Sequence, residues 1–156
     1  MAARTESFEN ARKEGVIQAT PMIASEIIYK GAQVLVASAT GLAFTNDGTT
    51  NTLANGDIFG GIAVETVDNS GGAASDKDVR AYRKGSFLMP FSDTLTQANV
   101  GDKVYINNVT DDSVVTVTSD TGNPQITIGE IVEFVSANRA YVAIDNYVGN
   151  VAAAGA

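Results

Sequence analysis

The feature that most constrains this chain is the spacing of its turns. Runs rich in Val, Ile, Thr, Phe and Tyr are cut by Gly, Asn and Asp before any of them is long enough for a helix. Residues 34–36 are followed by Gly41, residues 42–44 run into Asn46-Asp47-Gly48, and Asn55-Gly56-Asp57 opens a run over 58–67. A polar loop at 68–75 follows, and strand signals resume at 79–83, 87–91, 104–106, 114–118, 125–135 and 140–147. No segment sustains a helical apolar period; the best candidate, 94–100, has room for a turn or two. Short strands without helices to cover a sheet predict an all-β fold, a sandwich or a barrel.

Alternation assigns faces. Val104 and Ile106 share one side with Tyr105 opposite, and Val142 and Ile144 point together against Tyr141 and Asp145, so both strands are half buried. Residues 87–91 differ: Phe87, Met89 and Phe91 lie on one side, Leu88 and Pro90 on the other, and neither side is polar. Such a strand wants cover on both faces, from a second subunit or from a loop of its own chain. In the 125–135 run, Ile126 and Ile128 share a face with Glu130, which marks Gly129 as the place for a bulge.

With 156 residues the chain is expected to form one folded domain. Residues 1–20 are polar and mixed in charge and read as an extended arm, 21–148 as the folded domain, and 149–156 as an Ala-rich tail. The first residues carry no apolar stretch of a secretory signal and no run approaches a membrane span, so a soluble chain made in a cytoplasm, with no membrane partner, is expected.

The chain has no His and no Cys, which removes the imidazole base, the thiol nucleophile, disulfides and the usual donors of zinc sites. Paired carboxylates remain. Glu130 and Glu133 are separated by an odd step, which on a regular strand sends them to opposite faces, unable to flank one bond. Asp111-Asp112, and Asp76 and Asp78 around Lys77, sit in predicted turns, where Asp serves local hydrogen bonding. Asn46-Asp47-Gly48 and Asp57 have calcium-like residue types without the spaced acidic loop. Gly60-Gly61 and Gly71-Gly72 lack the Lys-Ser/Thr of a phosphate loop, and Gly60-Gly61 suits a close backbone approach inside a strand. No catalytic residue, metal or cofactor is expected.

Lys77, Arg80, Arg83 and Lys84 hold four of the ten cations in a chain of net charge −8. On a strand, Arg80 and Lys84 share a face with Tyr82. Three readings stay open: a nucleic-acid surface, a charge row that is simply solvated or guards a sheet edge, and a docking patch for an acidic protein. The acidic balance argues against a protein that wraps nucleic acid, and no nucleic-acid partner is expected.

Taken in order, several motifs make the sequence similar to the small decoration, or cement, proteins of tailed-bacteriophage capsids. They are Arg12-Lys13-Glu14-Gly15, Ile28-Tyr29-Lys30-Gly31, Val67-Asp68-Asn69-Ser70-Gly71-Gly72-Ala73, Val79-Arg80-Ala81-Tyr82-Arg83, Gly85-Ser86-Phe87, Gly101-Asp102-Lys103-Val104-Tyr105, Ile128-Gly129 and Tyr141-Val142-Ala143-Ile144. The resemblance covers residues 12–147 and implies a compact β-barrel-like or β-tulip module without enzymatic activity. It further implies a homo-oligomer, often a trimer, assembled in the bacterial host cytoplasm onto the capsid exterior. There it would bind the major capsid protein and bridge capsomers with its N-terminal arms. The expected contacts come from this sequence alone: Arg4, Phe8, Arg12, Lys13, Val16 and Ile17 in a capsid-binding arm, Phe87, Leu88, Met89 and Phe91 at an oligomer interface, and Lys77, Arg80, Arg83 and Lys84 as the docking patch. Two other classes share the strand pattern, namely another virion β-module (a head fibre or tail component) and a carbohydrate-binding module. The first should show an elongated repeat, and none is seen; the second should show exposed aromatics, often Trp, whereas the sequence has no Trp and spreads Tyr29, Tyr82, Tyr105, Tyr141 and Tyr147 through its strands.

Overall fold

The computed structural model describes residues 16–47, 51–107 and 114–144. The strands are β1 (Ile17–Pro21), β2 (Glu26–Ile28), β3 (Gln33–Val36), β4 (Ala43–Phe44), β5 (Ile58–Ala63), β6 (Val67–Asn69), β7 (Asp78–Tyr82), β8 (Ser86–Pro90), β9 (Lys103–Asn107), β10 (Gln125–Ser136) and β11 (Arg139–Ala143). They form a five-stranded sheet in the order β1-β7-β5-β3-β4, a four-stranded sheet in the order β8-β11-β10-β9, and a ribbon of β2 and β6; every pairing is antiparallel. The protein is all-β, and the 94–100 segment contributes only a 3-10 turn, Gln97–Asn99.

The five-stranded sheet is the middle of three layers. Successive residues point to opposite faces, so Leu35, Phe44, Phe59 and Ile62 enter the core shared with the four-stranded sheet, while Val34, Ala43, Ala63, Val79 and Ala81 enter a second core under the ribbon. The larger core is completed by Met89, Val104, Ile106, Ile126, Ile128, Ile131, Ala140 and Val142, all buried. The smaller is completed by Met22, Ile28 and Ala32.

Glycine is required at two close approaches. Gly61 has φ +120° and a Cβ there would run into the Tyr82 carbonyl of the neighbouring strand. A Cβ at Gly129 would run into the Ala143 carbonyl. The expected bulge is there: the β10–β9 register shifts between Thr127 and Gly129, which lets Ile126, Ile128 and Ile131 all face the core.

The described strands do not close into a barrel. The four-stranded sheet curls far enough for the 115–116 segment to touch both of its edges, but it does so by single bridges, Phe91 with Val115 and Tyr105 with Thr116. The expected 114–118 strand is therefore only a bridging segment. Other boundaries also move. The 58–67 run divides into β5 and the start of β6, so the polar loop starts later than residue 68, and residues 17–20 belong to β1 instead of a free arm. The pairing explains this last correction: Ile17 lies opposite Tyr82 and Pro21 opposite Asp78, a full ladder that an arm leaving at residue 20 would forfeit. Residues 1–15 and the 149–156 tail lie outside the described residues.

Candidate functional site

The carboxylates come first. Val132 is a second bulged residue of β10, where the register against β11 shifts between Ile131 and Glu133. The extra residue restores parity, so Glu130 (opposite Ala143) and Glu133 (opposite Tyr141) share the outer face of the four-stranded sheet, correcting the opposite-face expectation. Both are exposed there, without the enclosure that separates an acid from a base in a carboxylate pair.

The other acids are structural. Asp57 is buried and uses both oxygens on backbone, accepting from Ser38 N–H and Ala54 N–H at 2.8 Å each. Asp76 accepts from Ala73 N–H at 2.8 Å, and Asp47 from Asn51 N–H at 3.0 Å. Glu26, 8% exposed, is also buried and accepts from Thr45 N–H, Thr45 Oγ1 and Asn51 Nδ2. Among the described residues no three acids cluster as a metal-holding group. Asp111-Asp112 lies outside them.

The basic cluster is drawn out along β7. Arg80 pairs with Glu65 at 2.9 Å, and both are about half exposed. The Arg80 hydrogen bond and charge hold the Glu65 carboxyl below its usual value, and Glu65 in turn raises Arg80. Lys77 Nζ donates to the Asp68 carbonyl at 2.6 Å. From Lys77 to Arg83 the extended chain covers roughly 20 Å at ~3.3 Å per residue, so these cations form a row along the strand. Because β1 pairs on the outside of β7 and is itself the edge, the row does not guard a sheet edge; Lys77, Arg80 and Lys84 are exposed, as a solvated charge row would be.

The β8 residues separate. Met89 and Phe91 are buried in the subunit's own core and are not available as contacts. Phe87 is half buried with its ring 5.7 Å from that of Tyr82. Only Leu88, 41% exposed, faces outward, beside Tyr141 on β11. The strand thus has one covered face and one that its own chain leaves open. Val132 and Val135, both at about half exposure, add apolar surface where β10 is bulged.

Of the arm residues, Arg4, Phe8, Arg12 and Lys13 lie outside the described residues. Val16 and Ile17 sit at the start of the edge strand, 50% and 38% exposed.

Beside β8 lies a feature that strand patterning did not signal, a groove of about 400 Å³. Ile62, Phe87, Leu88 and Met89 form its apolar part, and Tyr29, Lys30 and Gln33 its polar rim and floor. Tyr29 is 58% exposed because Gly31, at φ +85°, turns the chain between β2 and β3 and leaves the ring outside.

No helix of the described residues is long and apolar enough to cross a membrane. No protein-family model matches this chain, and neither a curated protein nor a solved structure matches it.

Proposed function

We propose that this protein is a structural component of a tailed-phage virion, binding the outside of the capsid and bridging capsomers as a homo-oligomer. The observation that carries this reading is the way the chain enters the fold. The domain begins with an edge strand whose first residues, Val16 and Ile17, are exposed, and fifteen further residues precede them. A segment leaving from an open sheet edge is placed to grip a neighbouring surface while the domain stays intact. Several such segments on one oligomer act through effective concentration, so weak single contacts sum to strong retention. The apolar outer surface at Leu88, Val132 and Val135 supports contact between copies.

Because Ile17–Pro21 is a strand, the decisive deletion stops at residue 15. The full-length protein is expected to show an oligomeric mass by light scattering and to co-sediment with expanded, empty shells. The variant lacking residues 2–15 is expected to keep its β spectrum and its mass and to lose the shells. A truncated protein that decorates shells with full affinity defeats the arm reading, and a full-length protein that never binds shells defeats the capsid reading.

A further inference from the structure

We propose that the groove beside β8 is a strand-acceptor site and that, in the protein away from any shell, its occupant is the chain's own segment 1–15. Two features of the described residues suit the groove to an extended peptide. The first is the open edge. Phe91 N–H donates to the Asn138 carbonyl and the Gly85 carbonyl accepts from Ile144 N–H, which fixes the alternation of the β8–β11 ladder. Residues 85, 87, 89 and 91 therefore bond to β11, and the N–H and C=O groups of Ser86 and Leu88 turn the other way. Among the described residues, Val115 covers that edge only at its far end, donating to the Pro90 carbonyl. The second is Gln33 in the groove floor, 3% exposed, whose Oε1 is buried with no donor among the described residues. A main-chain strand supplies N–H and C=O groups at the spacing both features need.

The place where the described chain begins identifies the occupant. Gln33, Ile62, Tyr82 and Ile17 form one row across the five-stranded sheet, each the register partner of the next. The groove floor is one end of this row, and the other is the start of β1, where the Val16 carbonyl accepts from Arg83 N–H at 2.7 Å. Three strand spacings of ~4.8 Å separate the ends, about 14 Å in all. Roughly five extended residues span that distance, and the segment has fifteen. β1 runs antiparallel to β7, and β8 begins four residues after β7 ends, so a segment docked in the groove and joined to Val16 would enter at the Ser86 end of β8. It would therefore lie antiparallel to β8. Phe8 is the only aromatic in the segment and has Glu6 and Glu9 near it. Its ring suits the wall of Ile62, Phe87 and Met89, and the acids suit Lys30 at the rim.

The chain has no cysteine, so a single nitroxide can be placed cleanly. In full-length, isotopically labelled protein carrying it at Asn10→Cys, the amide signals of Gly31, Gln33 and Leu88 are expected to lose most of their intensity. Those of Gly101 and Asp102 should keep theirs, and adding Phe8→Ala should restore the groove signals. Groove signals that stay sharp in the spin-labelled protein overturn the proposal. So does broadening that persists when isotope and nitroxide are on different molecules, which would put the segment in a neighbour's groove. The inference stands apart from capsid binding, which co-sedimentation reads. Where both hold, the shell competes with the groove, and apparent shell affinity is the intrinsic affinity multiplied by the fraction of arms that are undocked.

Discussion

On one face of the five-stranded sheet, Leu35, Phe44, Phe59 and Ile62 meet the large aliphatic side chains of the four-stranded sheet. On the other, Ala43, Ala63 and Ala81, with Val34 and Val79, meet a ribbon of two three-residue strands. The first face gains from volume, since each fully buried Leu, Ile or Phe contributes about 1.5–3 kcal/mol of transfer free energy. The second gains less from volume and lets the ribbon backbone come close. Polar side chains then do the holding: Asn69 Nδ2 donates to the carbonyls of Ile23 and Ala73, and Glu26 gathers Thr45 and Asn51. One side sets how stable the domain is, and the other sets where its ribbon sits.

Three substitutions test that division, beginning with the largest effect. Leu35→Ala, at a fully buried position facing the larger core, is expected to cost about 2–5 kcal/mol in urea unfolding. Ala81→Leu, facing the ribbon, removes nothing and overfills a tight layer, for an expected cost of about 1–3 kcal/mol. Asn69→Ala takes the donor from two carbonyls and is expected to cost about 1–2 kcal/mol. Its distinctive reading is local: amide exchange should accelerate in β2 and β6 while β10 and β11 stay protected. If Leu35→Ala proves milder than Asn69→Ala, the two faces have been assigned the wrong roles.

Much of this architecture was legible in the sequence, for identifiable reasons. β3, β5, β7, β9, β10 and β11 are dense in branched and aromatic residues and are bounded by turn residues, and Gly129 marked its bulge because Glu130 would otherwise share a face with Ile126 and Ile128. β1 and β2 were missed. Ile17-Gln18-Ala19-Thr20-Pro21 is an edge strand with little to bury, and Glu26 opens β2 with a carboxylate whose partners are nineteen and twenty-five residues away. Glu130 and Glu133 were misplaced because nothing local announces the bulge at Val132; it follows from the pairing with β11. Phe87, Leu88, Met89 and Phe91 looked alike in sequence, and only the packing of the two sheets decides which of them are core. The groove escaped for the same reason, since Tyr29 and Gln33 reach β8 only through the tertiary fold.

Acid gives the finest test of the comparison, because each layer carries a carboxylate clamp. Burial works to raise the Asp93 carboxyl, but the Thr118 hydroxyl at 2.7 Å, Val117 N–H at 2.9 Å and the Thr116 hydroxyl outweigh it and hold it below its usual value. That clamp ties the 115–118 segment to the end of β8, on the side of the larger core. Asp68, on the ribbon, is held low by the Ser70 hydroxyl at 2.6 Å and Ser70 N–H at 2.9 Å. A carboxyl lowered in the folded chain binds its proton more weakly there than when unfolded. Its contribution is therefore complete above the ordinary value of 3.8 and is lost as pH falls through the lowered one. Stability is expected to hold from neutral pH down to about pH 5 and to decline below about pH 4. Asp93→Asn should lower the plateau and flatten the decline. Asp68→Asn should do so much less, because its carboxylate is exposed and solvent screens what the hydrogen bonds gain. Urea unfolding at neutral and acid pH on the two variants separates the layers. Equal flattening would mean that the ribbon leans on its carboxylate as heavily as the sheet-to-sheet side does, and the contrast between volume on one face and position on the other would not survive it.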